Sequence, residues 1–294
     1  MSVVDATGGS ANDSAVGEPG IEQLPAAAVP TEARWKRGAY AAAPVVLVYL
    51  AWEITARWVF QLKGVPFPTP EEAVGQLGRL LVGKRLLDHS LYTHVGTSLL
   101  RWGMGFGMAA VSGVAFGLAL GWWRGLDRVA RPVVHVLQLV PGLAWIPIAL
   151  LLFGVGERAT IFMIFVTALA PVVINVVAGV RSVDPGYVRA ARMMDATQRS
   201  LFFRVLLPAT VPHLLSGLRA GLANGWRVLV AAEMIVGTGT GLGYSILQAR
   251  WTLDYPSAFA CIIVIVGLGL AVERLVFTPL ERTTAERWGV VHQG

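Results

Sequence analysis

The chain has 294 residues, 55% of them hydrophobic and 14% charged, with a mean hydropathy of +0.60 and a formal net charge of +6. Soluble domains carry about 25% charged residues, and the apolar residues here come in long runs rather than in periods, so an ordinary soluble fold is excluded and an all-α integral membrane protein is indicated. The basic residues cluster in short segments between apolar runs, where orientation in a bilayer accounts for them better than nucleic-acid binding does.

In chain order, residues 1–33 are rich in Gly, Ala, Ser, Pro and acidic residues, with no apolar periodicity and no signal-peptide core, and read as a disordered tail. Arg34, Lys36 and Arg37 precede a first span over 40–60, in which Glu53 and Arg57 stand at i, i+4 and are placed to pair. A proline-stiffened stretch, 65–70, leads into an interfacial helix over 71–87. The second span, 95–123, carries Gly103, Gly107, Gly113, Gly117 and Gly121, a small-residue spacing that admits a close neighbour. The third, 129–153, contains Pro141 and Pro147 and is expected to be bent or broken there. The fourth, 159–180, holds Pro171 and Asn175. A fifth span covers 209–236 and a sixth 257–277. Glycines 237, 239, 241 and 243 read as a flexible external turn, and Cys261, the single cysteine, as a small packed residue.

Between the fourth and fifth spans lies the polar segment 181–208. Asp184 and Pro185 form a helix-start signal, an N-cap carboxylate followed by proline at the first helical position. Tyr187, Ala190, Ala191 and Met194 then fall at i, i+3, i+4, i+7 and share a face. Asp195 breaks the run, Thr197 caps a second short helix with an apolar face of Leu201, Phe202, Val205 and Leu206, and Pro208 is expected to close it. Two short amphipathic helices at a bend need a surface to lie on, which suggests a docking element. With the N-terminus inside, the inner segments hold 13 Lys/Arg (34, 36, 37, 124, 128, 131, 181, 189, 192, 199, 204, 282, 287) against six outside (63, 79, 84, 85, 158, 250). The bias favours six helices with both termini in the cytoplasm, and it puts the docking segment there too.

The segment resembles the cytoplasmic coupling loop of permease subunits in binding-protein-dependent ABC importers, whose motif runs E-A-A, three residues, G, nine residues, I-x-L-P. The aligned positions here are Arg189, Ala190, Ala191, Asp195, Val205, Leu207 and Pro208. Arg189 replaces the family's glutamate and Asp195 its turn glycine, although Asp tolerates a left-handed backbone better than most residues. Pro141–Pro147, Phe153–Gly156, Ala178–Pro185, Val230–Met234 and Gly241–Tyr244 resemble the sulfonate, taurine and nitrate importer subfamily, a likeness covering about 97–280.

The resemblance implies a permease core over 95–280 with its coupling loop at 181–208, after a first span and external helix at 34–94 and before a cytoplasmic tail at 281–294. It also implies a homodimeric pore in a bacterial inner membrane, two ATP-binding subunits that hold ATP and magnesium, and an extracytoplasmic substrate-binding protein. Contact with the ATPase falls by resemblance on Asp184, Tyr187, Arg189, Ala190, Ala191, Met194, Asp195, Leu201, Leu207 and Pro208. At Arg189 an acidic patch on the ATPase is expected to compensate for the reversed charge.

Charges inside an apolar span cost roughly 2.5–3.5 kcal/mol on insertion scales, which makes Arg227 and Glu233 candidates for the wall of an anion pathway, with Gln138 and Trp145 beside them. The structural alternative is an ion pair between helices, with Arg101 or Glu273 as partners. Residues 78–84 imitate a phosphate loop, but Arg85 stands where a magnesium-binding Ser or Thr belongs and no strand precedes it. The five histidines show no metal-ligand spacing, and neither a catalytic constellation nor a bound cofactor is expected in this chain. The remaining alternatives are a secondary transporter, for which no repeat of broken helices is evident, and a membrane enzyme.

Overall fold

The structure, a computed structural model, describes residues 34–280 except 65, 238 and 278, with the backbone alone at 34–42 and 276–277. Both expected tails, 1–33 and 281–294, lie outside the described residues. Contacts divide the chain into two units at Leu50 and Ala51. The described part of the first is helical and belongs to α1, Arg34–Lys63, which contains Pro44 and exposes Val45, Leu47 and Val48.

In the second unit the end of α1 carries the expected Glu53–Arg57 pair at 2.7 Å. Trp52 stacks on Phe259 with ring centroids 5.2 Å apart, and its indole N–H donates to the carbonyl of Pro68. α2, Pro70–Leu81, starts on a reciprocal capping box between Thr69 and Glu72. It stops six residues short of the expected end. Gly83 and Leu87 take left-handed φ values of 109° and 57°, and the chain doubles back through a bridge between Leu86 and His89. Leu80 of α2 is buried with Ala260 and Cys261.

The centre of this unit is α6, Glu157–Ser182, held between α3, Leu91–Trp122, and α9, Leu207–Val236. Small residues set both approaches. On α3 the seam runs Gly105, Ala109, Gly113, Gly117, Gly121, every fourth residue, rather than through the expected Gly103 and Gly107, which face open space. A Cβ on Gly117 would sit 2.6 Å from Val176 Cβ, and one on Gly121 2.6 Å from Val180 Cβ. On α9, Gly217, Gly221 and Gly225 meet Asn175, Ala168 and Ile164 in the same way. Without a hydrophobic drive between helices in lipid, such contact is what holds them together. Pro171 stays inside an unbroken α6.

The third span is broken as its prolines imply. α4, Arg124–Leu139, turns at Pro141 into a single 3₁₀ turn, Gly142–Trp145, and then into α5, Ile146–Phe153, with a bend of 104°. Past α6 come α7, Pro185–Met193, and α8, Gln198–Leu201. Pro208 does not close the second short helix. A π-helical turn, Phe202–Leu206, widens the backbone just before the proline, Leu207 N–H reaches back to the carbonyl of Phe202, and the helix runs on through α9. Pro208 thus lies inside a continuous helix, and the widened π turn before it makes room for its ring and its missing N–H.

After α9, Gly241 and Gly243 are buried against Glu233 while Gly239 is exposed, and an unforeseen helix, α10, Leu242–Trp251, precedes α11, Tyr255–Val272. Five helices among the described residues are long and apolar enough to cross a membrane, and the bent pair makes six if it is one span. No strand occurs among those residues.

Candidate functional site

Asp184 caps α7 by accepting from the Gly186 N–H at 2.6 Å, with Pro185 in the first helical position. The helix ends on a glycine-type cap made without glycine. Asp195 takes φ 54°, its N–H donates to the carbonyl of Arg192, and the Ala196 N–H donates to that of Ala191. That pair of bonds is the Schellman pattern, so the expected bend survives the substitution. Thr197 then accepts from the Ser200 N–H and starts α8.

The two short helices divide their faces differently from expectation. α7 leaves Tyr187, Met193 and Met194 68%, 84% and 82% exposed, and Ala190 is exposed with them. α8 and the turn after it send Leu201 and Leu206 into the chain's own interior instead, and Phe202 packs edge-on against Trp122. α8 is continuous with α9, so its apolar side belongs to the bundle. Leu201 is therefore no outward contact, and Leu207 and Pro208 lie half-buried in the helix. Around the bend a hollow of about 820 Å³ is walled by Ala191, Met194, Asp195, Arg199, Phe203 and Arg204, among others.

Arg189 sits on the other side of α7. Pro185, Val188, Arg189 and Arg192, again at i, i+3, i+4, i+7, wall a cleft of about 1180 Å³ together with Arg124, Arg128 and Arg131 of α4 and Arg181 of α6. The single carboxylate in that wall, Asp127, is 5% exposed and binds Arg131 at 2.7 Å and Arg181 at 2.6 Å. Position along the chain gave no sign that these six arginines converge.

The expected pathway residues do not gather around one space. Glu233 is 2% exposed and accepts from Arg101 at 2.9 Å, from Ser98 at 2.8 Å and from the Gly243 N–H at 3.0 Å. Arg101, also 2% exposed, extends to Glu157 and to the carbonyl and hydroxyl oxygens of Thr240. Beside them His94 Nε2 donates to the carbonyl of Leu86, which leaves Nδ1 to accept from the Gly241 N–H at 3.0 Å. The ion-pair alternative is thus what the structure places at Glu233, and this network ties α3, α6, α9 and α10 together. Ser98 and His94 carried no sequence signal, being ordinary polar residues in an apolar span. Arg227 is exposed on the opposite side of α9, bonded to Asn224 and to the carbonyl of Ala223. Arg219 pairs with Glu273. Gln138 is exposed on α4, and Trp145 packs in an apolar cluster with Ala149, Met163 and Val228.

No group of three or more His, Cys, Asp or Glu side chains placed to hold a metal occurs among the described residues.

Residues 112–278 match the model of the family described as "binding-protein-dependent transport system inner membrane component". The nitrate import permease protein NrtB of Synechocystis sp. is 32% identical over 240 residues, covering 80% of this chain and 85% of that protein. The bicarbonate transport system permease protein CmpB of Synechococcus elongatus is 34% identical over 191 residues, covering 65% and 68%. Among solved structures, a crystal structure of an amino acid ABC transporter with histidines aligns with TM-score 0.52 at 19% identity, over 75% of this chain and all of that one, a likeness of fold alone.

Proposed function

The chain belongs to the family of binding-protein-dependent transport system inner membrane components, multi-pass membrane proteins of ABC importers, and from that premise we propose that it translocates a small anion by alternating access driven by a separate ATPase subunit. The observation that carries this reading is the α7–α8 bend, with Tyr187, Ala190, Met193 and Met194 turned away from the chain's own core. Exposed methionines and a tyrosine beside a hollow suit a protein interface rather than water. The relatives named for nitrate and bicarbonate support an anionic substrate of that size.

In the working assembly two copies of the chain form the pore in the inner membrane, with both termini and the bend on the cytoplasmic side. Each copy seats its bend on one ATP-binding subunit, which holds ATP and magnesium, and an extracytoplasmic binding protein delivers the substrate. Closure of the ATPase pair moves α7, and the movement passes into α6 and α9, the helices on either side of the bend. Tight packing makes those helices rotate as bodies rather than deform. Arg189 faces the cleft side of α7, away from the side that carries Tyr187 and Met194.

Gentle extraction of the tagged chain from its native membrane, followed by mass spectrometry, tests the assembly. Two copies with two ATP-binding subunits are expected. A chain that emerges alone and moves solute in ATP-free vesicles is instead a secondary transporter. Met194→Glu places a charge on the exposed face and is expected to weaken ATPase capture at least tenfold while leaving the thermal midpoint of the chain unchanged.

A further inference from the structure

We propose that the arginine-lined cleft between α4, α6 and α7 is a binding site for an anionic phospholipid, which holds its phosphate among the guanidinium groups and the headgroup end of one acyl chain in the crevice that opens from the cleft. The charge balance of the cleft is the first reason. Arg124, Arg128, Arg131, Arg181, Arg189 and Arg192 surround a space of about 1180 Å³ with one carboxylate, Asp127, in its wall. Asp127 neutralises a single charge and is consumed by Arg131 and Arg181, while Arg124, Arg128, Arg189 and Arg192 form no ion pair among the described residues. Four guanidinium groups facing one space repel one another until an anion sits between them, and guanidinium geometry matches phosphate oxygens.

The second reason selects an amphipathic anion over a small soluble one. Asp127, Arg131 and Arg181 also wall a second cavity, of about 220 Å³, that runs between α3, α4 and α6 along Leu120, Val134, Val173, Ile174 and Val177. A basic mouth that continues into an apolar crevice between membrane-spanning helices has the polarity of a phospholipid. Asp127 fixes two of the arginines where the two regions join. The level is right as well, since Trp122 lines the cleft and Trp123 is exposed beside it, at the end of a span where aromatic residues mark the membrane interface. Basic pockets between helices on the cytoplasmic side are a known physical means of holding anionic headgroups. A lipid seated there touches α4, α6 and the cleft face of α7 at once, so it would stiffen the bend from behind while leaving Tyr187 and Met194 exposed.

The test needs no ATPase and so stands apart from the coupling reading. The full-length chain is delipidated in a neutral detergent and titrated separately with phosphatidylglycerol, phosphatidylcholine of the same chain length, and glycerol phosphate, with native mass spectrometry and thermal midpoint as readouts. Phosphatidylglycerol is expected to bind at a stoichiometry of one and raise the midpoint, with the other two ineffective at equal concentration. Arg128→Gln with Arg192→Gln should weaken that binding about 30-fold, and Arg128→Lys with Arg192→Lys should retain most of it, which separates lost charge from misfolding. Equal binding of phosphatidylcholine makes the crevice a general lipid groove and overturns the proposal. Full stabilisation by glycerol phosphate makes it a soluble-anion site, and an unchanged affinity in the glutamine variant removes the arginines from it; either result also overturns the proposal.

Discussion

At the scale of single residues, the buried Arg101–Glu233 pair decides most. Removing one partner leaves the other charged and sealed at 2% exposure, a loss of about 3–5 kcal/mol. Arg101→Leu is therefore expected to lower the thermal midpoint in detergent sharply, and Arg101→Leu with Glu233→Leu to recover part of it; a double variant worse than the single one would contradict a pairwise role. Asp195 makes a milder case. At φ 54° an L-residue is strained, so Asp195→Gly should gain about 1 kcal/mol and Asp195→Val should lose stability, both readable from thermal melts. The caps at Asp184 and Thr197 and the left-handed turn at Asp195 were legible because each depends on a residue's own backbone chemistry. The destination of Glu233 was legible only as one of two alternatives, a pathway wall or an ion pair with Arg101 or Glu273, because its ligands, Ser98 and Arg101, lie more than 130 positions away in the chain.

At the scale of elements, the packing of α3 on α6 rests on which glycines face which valines. Gly117→Leu is expected to cost about 1–3 kcal/mol or more by overpacking against Val176, whereas Gly103→Leu, which points into open space, should leave the folded fraction unchanged or slightly raised. Comparing the two by size-exclusion profile and melting midpoint checks the seam directly. Sequence spacing offered both glycine series, and only the neighbouring helix chose between them. The broken third span was readable from Pro141 and Pro147, because proline removes a donor wherever it stands. Pro208 misled for a related reason: a proline reads as the end of a helix, and the π-helical turn before it lets the helix run through.

At the scale of the whole molecule, the distribution of arginine and lysine predicts both termini inside, and labelling tests it. Cys261 is fully buried, so a Cys261→Ala background carrying Arg192→Cys or Arg250→Cys reports one side at a time. A membrane-impermeant maleimide added to intact cells should label Arg250→Cys at once and Arg192→Cys after permeabilisation; the opposite pattern would invert the orientation. The sequence by itself determined the membrane class, the approximate extent of the apolar helices, the break in the third, the capped bend of 181–208 and the family. Hydropathy, proline, capping and motif spacing are properties of neighbouring residues, so they survive without a fold. Only the tertiary structure decided that α8 turns its apolar side inward, that Glu233 is held by Arg101, and that Arg189 shares a cleft with five other arginines. Those outcomes depend on which faces meet across the helices, and residues distant in the chain set them.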